Sequence, residues 1–310
     1  MAWTEADMPD LTGRTIVVTG ANSGLGLEAT RAFAAKGAQV VMGCRSAAKA
    51  EAAQQSVLSR HPNAKVEVLS LDLASLASVR AFVASFGSRH ARLDVLCNNA
   101  GVMALPYSKT SDGFEMQLGT NHLGHFALTG LLLPKLLSTP GARIVTQSST
   151  AHRMGRIAFD DLHSERSYGK WTAYGQSKLA NLLFAYELQR RLERKGADVM
   201  SVACHPGYAA TELQFAGPRM EGSSLMERLM ALGNALLAQT AAMGSLPMLY
   251  AATASEVRGG DYVGPDGFGE SWGHPKKVRS NARSRDAEAA KRLWTVSEES
   301  TGVRYDGLTP

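Results

Sequence analysis

Tyr174 and Lys178 lie four positions apart in YGQSKLANLLFAYEL (Tyr174–Leu188), a stretch that reads as helix, so phenol and ammonium share one face. A free tyrosine has a pKa of about 10 and is a poor base at neutral pH. An ammonium held beside it favours the phenolate and should lower that pKa. The pair therefore has the chemistry of a general acid and base. A second pattern stands near the start of the chain, where TGANSGLG (Thr19–Gly26) directly follows the apolar run Arg14–Val18. A strand that passes through a glycine-rich turn into a helix gathers backbone N–H groups where an anion would sit. Gly20 permits the tight turn, Gly24 lets backbone approach a phosphate, and Gly26 lets the helix pack close to the sheet. By itself this spacing fits phosphate binding or mere steric relief.

The elements that must hold these groups alternate regularly. Short runs at Arg14–Thr19, Gln39–Cys44, Lys65–Leu69, Leu93–Cys97, Arg143–Gln147 and Asp198–Ala203 read as strands. Helical patterns at Gly24–Lys36, Ala47–Arg60 and Leu76–Gly87 separate the first four, with Gly37 and His61-Pro62 as stops. A helix at Ala241–Ala254, a strand near Asp261–Val263 and a helix near Ala287–Ser297 complete the pattern. The rhythm predicts α/β architecture: a Rossmann-like, doubly wound parallel sheet of about seven strands with helices on both faces. No linker or repeat interrupts it, so residues 1–310 read as a single domain, with a core of about 12–265 and an extension at 266–310. The Met- and Leu-rich segment 208–237 has amphipathic spacing and suits a core-facing helix or a lid over an apolar ligand.

Composition narrows the partners. Hydrophobic residues make up 45% of 310, enough for a real core and far from a disordered chain. A net charge of +5 suits an anionic ligand or nucleic acid, but no run of five or six like charges exists. The densest basic stretch, Lys276-Lys277-Val278-Arg279 with Arg283 and Arg285, reads as solvated surface, so no nucleic-acid partner is expected. Cys44, Cys97 and Cys204 each end an apolar run and read as buried thiols rather than a disulfide or metal site. His122 and His125 have ligand spacing but no third ligand nearby, so no metal is expected. MAWTEADMPDLTG lacks the apolar segment of a signal peptide, and no apolar stretch approaches the ~20 residues needed to span a bilayer. A soluble, cytoplasmic protein of a reducing compartment is the expectation.

Further motifs join the glycine turn in order. Asn98-Asn99-Ala100-Gly101 follows the fourth strand, Asn121 lies in a helical pattern, Ser148-Ser149 end the fifth strand, and Pro206-Gly207-Tyr208-Ala209-Ala210-Thr211 follows the sixth. With Tyr174 and Lys178, this set resembles the short-chain dehydrogenase/reductase family, whose first motif is T-G-x-x-x-G-x-G, over roughly residues 12–265. NHLGHFALT (Asn121–Thr129), IVTQSSTAH (Ile144–His152) and HPGYAATEL (His205–Leu213) are most similar to its retinol dehydrogenase and WW-domain oxidoreductase branch. Light-dependent protochlorophyllide reductases share several of these motifs. No counterpart of the membrane anchor of many retinol enzymes is expected.

The resemblance implies a nicotinamide dinucleotide. Gly20, Asn22, Ser23, Gly24, Leu25 and Gly26 would cradle its phosphates, Asp72 and Leu73 would lie at the adenine, and Asn99, Ala100 and Gly101 beside the adenosine ribose. Pro206, Gly207 and Thr211 would sit at the nicotinamide, Thr211 bonding the carboxamide. Asp72 could equally cap the helix that follows near Ser75. Where NAD-preferring members carry an acid at the end of the second strand, this chain has Cys44 followed by Arg45. A guanidinium binds a 2′-phosphate that a carboxylate would repel, so NADP(H) is expected and NAD(H) disfavoured.

Carried over residue by residue, Tyr174 would be the general acid/base, and Lys178 would tune it and bind the nicotinamide ribose. Ser149 would polarise the substrate oxygen, with adjacent Ser148 as rival, and Asn121 would hold a water in a proton relay to Lys178. Ser149 and Tyr174 are separated by an excursion, His152–Trp171, that contains Asp160-Asp161 and His163 and reads as surface beside the substrate mouth. The expected function is hydride transfer between NADP(H) and an apolar alcohol, aldehyde or ketone, as a carbonyl reductase or alcohol dehydrogenase. C=C reduction and a non-catalytic dinucleotide sensor are the alternatives, and a homo-oligomer is compatible with the family.

Overall fold

In a computed structural model that describes residues 2–208 and 239–308, Ile16, Val18, Val40 and Met42 pack into one buried cluster, while their neighbours Val17 and Val41 pack into another. Continuously apolar strands whose alternate residues enter two cores belong to a sheet covered on both faces. The strands are β1 (Thr15–Thr19), β2 (Gln39–Cys44), β3 (Lys65–Ser70), β4 (Val95–Asn98), β5 (Ala142–Gln147), β6 (Val199–Cys204), β7 (Tyr262–Pro265) and β8 (Pro275–Lys277), in the order β3-β2-β1-β4-β5-β6-β7-β8. The first seven are parallel, and β8 runs antiparallel to β7 with Val263 opposite Lys277. About seven strands were expected. The eighth is three residues, Pro-Lys-Lys, with no apolar alternation to betray it.

Helices α1 (Gly24–Ala35), α2 (Ala47–Leu58) and α7 (Ala241–Thr253) supply one core. On the other face lie α3 (Leu76–Arg89), α5 (Gly124–Leu137), α6 (Lys170–Lys195) and α8 (Ala287–Thr301). The short α4 (Met116–Leu118) leads into α5 through a single π turn, Gly119–Leu123, that holds Asn121. Such one-turn insertions often mark functional sites. Strand order reverses between β1 and β4, and their carboxyl ends open the crevice where this sheet type takes ligands.

The reading of 266–310 as an extension beyond the core is corrected. Residues 275–277 belong to the sheet, and Trp294 on α8 packs 5.2 Å from the Phe126 ring and 5.9 Å from the Phe184 ring. Tyr305 follows, its ring 4.5 Å from Trp294 and its hydroxyl donating to the Phe126 carbonyl at 2.7 Å. Leu293, Trp294, Ser297 and Thr301 form the helical stripe that α5 and α6 bury. The helix-or-lid expectation for 208–237 falls, from 209 onward, outside the described residues.

Candidate active site

At the end of β1 the chain turns through Gly20 at φ +67° and Gly24 at φ +51°, backbone that favours glycine. A Cβ on Gly26 would stand 2.4 Å from the Gly20 carbonyl oxygen and 2.7 Å from Asn99 Nδ2, so α1 can begin this close only with glycine there. Thr19 clamps the turn to the end of β4: its Oγ1 accepts the N–H groups of Asn99 and Ala100, each at 2.9 Å, and its carbonyl accepts Asn99 Nδ2 at 2.8 Å. The buried Cys44 thiol lies below. Burial pushes its pKa up to about 11, against backbone N–H bonds from Ala21 and Asn22. Cys44 thus supports the turn from inside, while Arg45 next to it is exposed and makes no hydrogen bond or ion pair among the described residues.

Asn22, Ser23 and Leu25 complete the turn and the first residues of α1, and Ser23, the N-cap, makes no side-chain capping bond. Asp72 Oδ1 accepts the Ala74 N–H at 3.0 Å, with Leu73 buried between them. The helix cap is Ser75, whose hydroxyl accepts from Ser78 N, and not Asp72.

Tyr174 and Lys178 sit near the start of α6 with the Lys178 Nζ 5.7 Å from the phenol ring centre. Both are buried. Among the described residues the ammonium finds one hydrogen-bond acceptor, the Gln147 carbonyl at 3.4 Å, and burial draws its pKa down to about 8. Burial pushes Tyr174 up to about 12, opposed by a hydrogen bond from Ser149. Burial thus works against the lowering expected of a neighbouring ammonium. Taking a phenolate out of water disfavours it, and burial disfavours the charged form of the lysine as well.

The two serines part company. Ser148 is buried and donates to the Lys178 carbonyl at 2.8 Å, pinning α6 to β5. Ser149 is half-buried, caps the 3-10 turn Thr150–Arg153 and faces Tyr174. Asn121 spends its amide on the protein: Oδ1 accepts Val102 N at 2.8 Å, and Nδ2 donates to Val102 O and Ser177 Oγ, both at 2.9 Å. Its backbone carbonyl accepts from His125 Nδ1 at 3.0 Å, and His125 Nε2 meets the Thr19 hydroxyl at 2.9 Å. Thr19, His125 and Gln147 had no assigned role in the sequence. His125 stood only as a possible metal ligand, although its place in NHLGH offered a signal.

A cavity of about 520 Å3 joins Asn99, Gly101, Ser149, Tyr174, Lys178 and Pro206-Gly207. Its outer wall is apolar, formed by Met103, Met154, Trp171 and Tyr208, and no Asp or Glu lines it among the described residues. Trp171 meets the Tyr174 ring edge-on at 6.3 Å. A Cβ on Gly101 would come within 3.1 Å of Asn121 Oδ1 and 3.5 Å of Lys178 Nζ, so this glycine keeps the space over the ammonium open. A glycine-rich turn at a helix start, a buried lysine with no ion-pair partner among the described residues and an adjoining cavity fit a nicotinamide dinucleotide. Thr211 lies outside the described residues. Asp161 and His163 are turned to local bonds, Asp161 accepting Glu165 N and Arg166 N and His163 accepting Glu115 N.

This sheet and site define a class. The sequence profile described as short chain dehydrogenase matches residues 14–221, and the chain belongs to the short-chain dehydrogenase/reductase family of NAD(P)-dependent oxidoreductases. Human retinol dehydrogenase 12 is 42% identical over 298 residues, 96% of this chain and 89% of that protein. Human retinol dehydrogenase 14 is 41% identical, covering 94% and 87%. A crystal structure of an uncharacterized protein from Mycobacterium paratuberculosis superposes with a TM-score of 0.81 at 42% identity, covering 98% and 99%.

Proposed function

We propose that the protein is an NADPH-dependent reductase of apolar aldehydes and ketones, working in reverse as an alcohol dehydrogenase. The observation that carries this reading is the convergence of the Tyr174 phenol, the Ser149 hydroxyl and the Lys178 ammonium on one cavity with an apolar outer wall and no carboxylate among the described residues. A nicotinamide dinucleotide held by the turn after β1 and by Lys178 would supply the hydride. Ser149 donates a hydrogen bond to the substrate carbonyl oxygen, which gains negative charge as the hydride arrives. Tyr174 then gives its proton to that oxygen. The phenol is protonated at neutral pH and so has a proton to give. Lys178 holds the nicotinamide ribose and stabilises the phenolate once the proton has left. Asn121 would hold a water that returns a proton toward Lys178. Arg45, exposed beside the turn with no acid at Cys44, supports a 2′-phosphate over a free ribose hydroxyl. The names of the retinol dehydrogenase relatives agree with an elongated apolar substrate.

The test is NADPH consumption across a panel of aldehydes and ketones, with Tyr174→Phe alongside. General acid catalysis contributes about 10²–10⁴-fold, so the variant should lose at least that in kcat while binding NADPH within a few-fold of wild type. Full activity in Tyr174→Phe refutes the assignment.

A further inference from the structure

Behind the cavity a chain of polar groups joins segments far apart in sequence. His205, fully buried at the end of β6, accepts the Gly207 N–H on Nδ1 at 3.2 Å and meets Glu270 Oε2 with Nε2 at 3.0 Å. Because a backbone N–H can only donate, Nδ1 is the acceptor and Nε2 carries the proton toward the carboxylate. Arg153 pairs with the same Glu270 oxygen at 2.8 Å from the turn that Ser149 caps. One carboxylate therefore ties the loop His205–Gly207 to the turn that follows Ser149.

Two further observations show that this arrangement is built at a cost. Glu270 has φ +60°, a left-handed backbone that a side chain resists, held only where the surroundings enforce it. Gly264 on β7 faces the imidazole so closely that a Cβ there would lie 2.1 Å from His205 Nε2. The adjoining backbone is fastened as well: Ser271 O accepts Tyr208 N at 2.7 Å, and a Cβ on Gly207 would strike that oxygen at 2.4 Å. The hairpin between β7 and β8 thus holds the loop whose Pro206 and Gly207 line the cavity.

We propose that Arg153, Glu270 and His205 are positioning residues that set the Pro206–Gly207 loop against the nicotinamide end of the dinucleotide and fix its distance from Ser149. This rests on the reading of the cavity as a dinucleotide site. Loss of the carboxylate leaves His205 without its orienting partner, and the Gly207 N–H loses a fixed acceptor. The two segments then move independently.

The experiment measures NADPH dissociation constants by fluorescence titration, together with kcat and Tm, for Glu270→Ala, Glu270→Gln, Arg153→Met, His205→Ala and the double variant His205→Ala/Glu270→Ala. Removing a hydrogen bond to a charged group should raise the NADPH dissociation constant about tenfold in Glu270→Ala and lower kcat with it. Glu270→Gln, whose amide oxygen still accepts from Nε2, should recover most of both. His205→Ala/Glu270→Ala should lose no more than the worse single variant, since both act through one contact chain. A lowered Tm with unchanged NADPH affinity and kcat in Glu270→Ala would make the relay purely structural and overturn the proposal. If that variant does not fold, Arg153→Met decides: its side chain is half exposed, and unchanged affinity there is equally fatal. The two readings fail separately. Weakened NADPH binding in Glu270→Ala with no turnover of any carbonyl by wild type keeps the relay and sinks the reductase, and the converse keeps the reductase alone.

Discussion

The Lys178 ammonium lies 5.7 Å from the centre of the Tyr174 ring, and both groups are buried on α6. Neither has its ordinary acidity: burial draws the lysine down to about 8 and pushes the tyrosine up to about 12. At neutral pH the pair is a neutral phenol beside a lysine that still carries its proton.

The lysine leaves a mark on stability. Its pKa falls from 10.5 unfolded to about 8 folded, so between these values the unfolded chain binds more protons and stability rises with pH. The contribution is present above pH 10.5 and lost as pH falls through 8. Wild type without added coenzyme should therefore gain Tm relative to Lys178→Met as pH is raised across that window, followed by scanning calorimetry. Parallel curves would show that the lysine is not desolvated.

Arg45 should set coenzyme choice. In Arg45→Ala the ratio of kcat/KM with NADPH to that with NADH should fall about 10–100-fold, the worth of a charge-assisted hydrogen bond to phosphate. The loss should lie in KM for NADPH. An unchanged ratio would mark Arg45 as a solvated loop residue.

Gly26→Ala places a methyl group 2.4 Å from the Gly20 carbonyl oxygen. The turn must open, at a cost of about 1–3 kcal/mol in stability. NADPH affinity should fall with Tm, since the displaced backbone is the cradle itself. Chemical denaturation and a binding titration would check both, and a variant as stable and as tight as wild type contradicts the packing.

Trp171, at 47% exposure on the cavity wall, should matter to substrate and not to coenzyme. Trp171→Ala should raise KM for long apolar aldehydes several-fold, by about 1–2 kcal/mol of lost apolar contact, with little change for short ones. Equal effects on both chain lengths would place the substrate elsewhere.

The glycine turn and the Tyr174–Lys178 pair were legible because their geometry is local: a turn spans a few residues, and four positions on a helix define a face. The strands of the parallel sheet were legible from their apolar runs, which two buried faces demand. Glu270 was not legible, since its place depends on a left-handed backbone and on a histidine 65 positions away. Nor was β8, whose two lysines read as surface and whose pairing is with a hairpin partner. Acidity of the phenol also lay beyond the sequence. Spacing names the neighbour of Tyr174, but only packing shows how much water has been removed from both.

The aromatic cluster of Phe126, Phe184, Trp294 and Tyr305 has a consequence for how this enzyme is made. Synthesis delivers α5 and α6 long before α8, yet Gly130 on α5 has a bare face only because Val303 and Tyr305 come to rest on it, each 2.7 Å from where a Cβ would stand. On the ribosome the face of α6 that α8 covers stays open until residues 287–301 have emerged. The packing of α6 is thus completed late and over a long range, and a nascent chain stalled before α8 would leave that apolar surface exposed to aggregation.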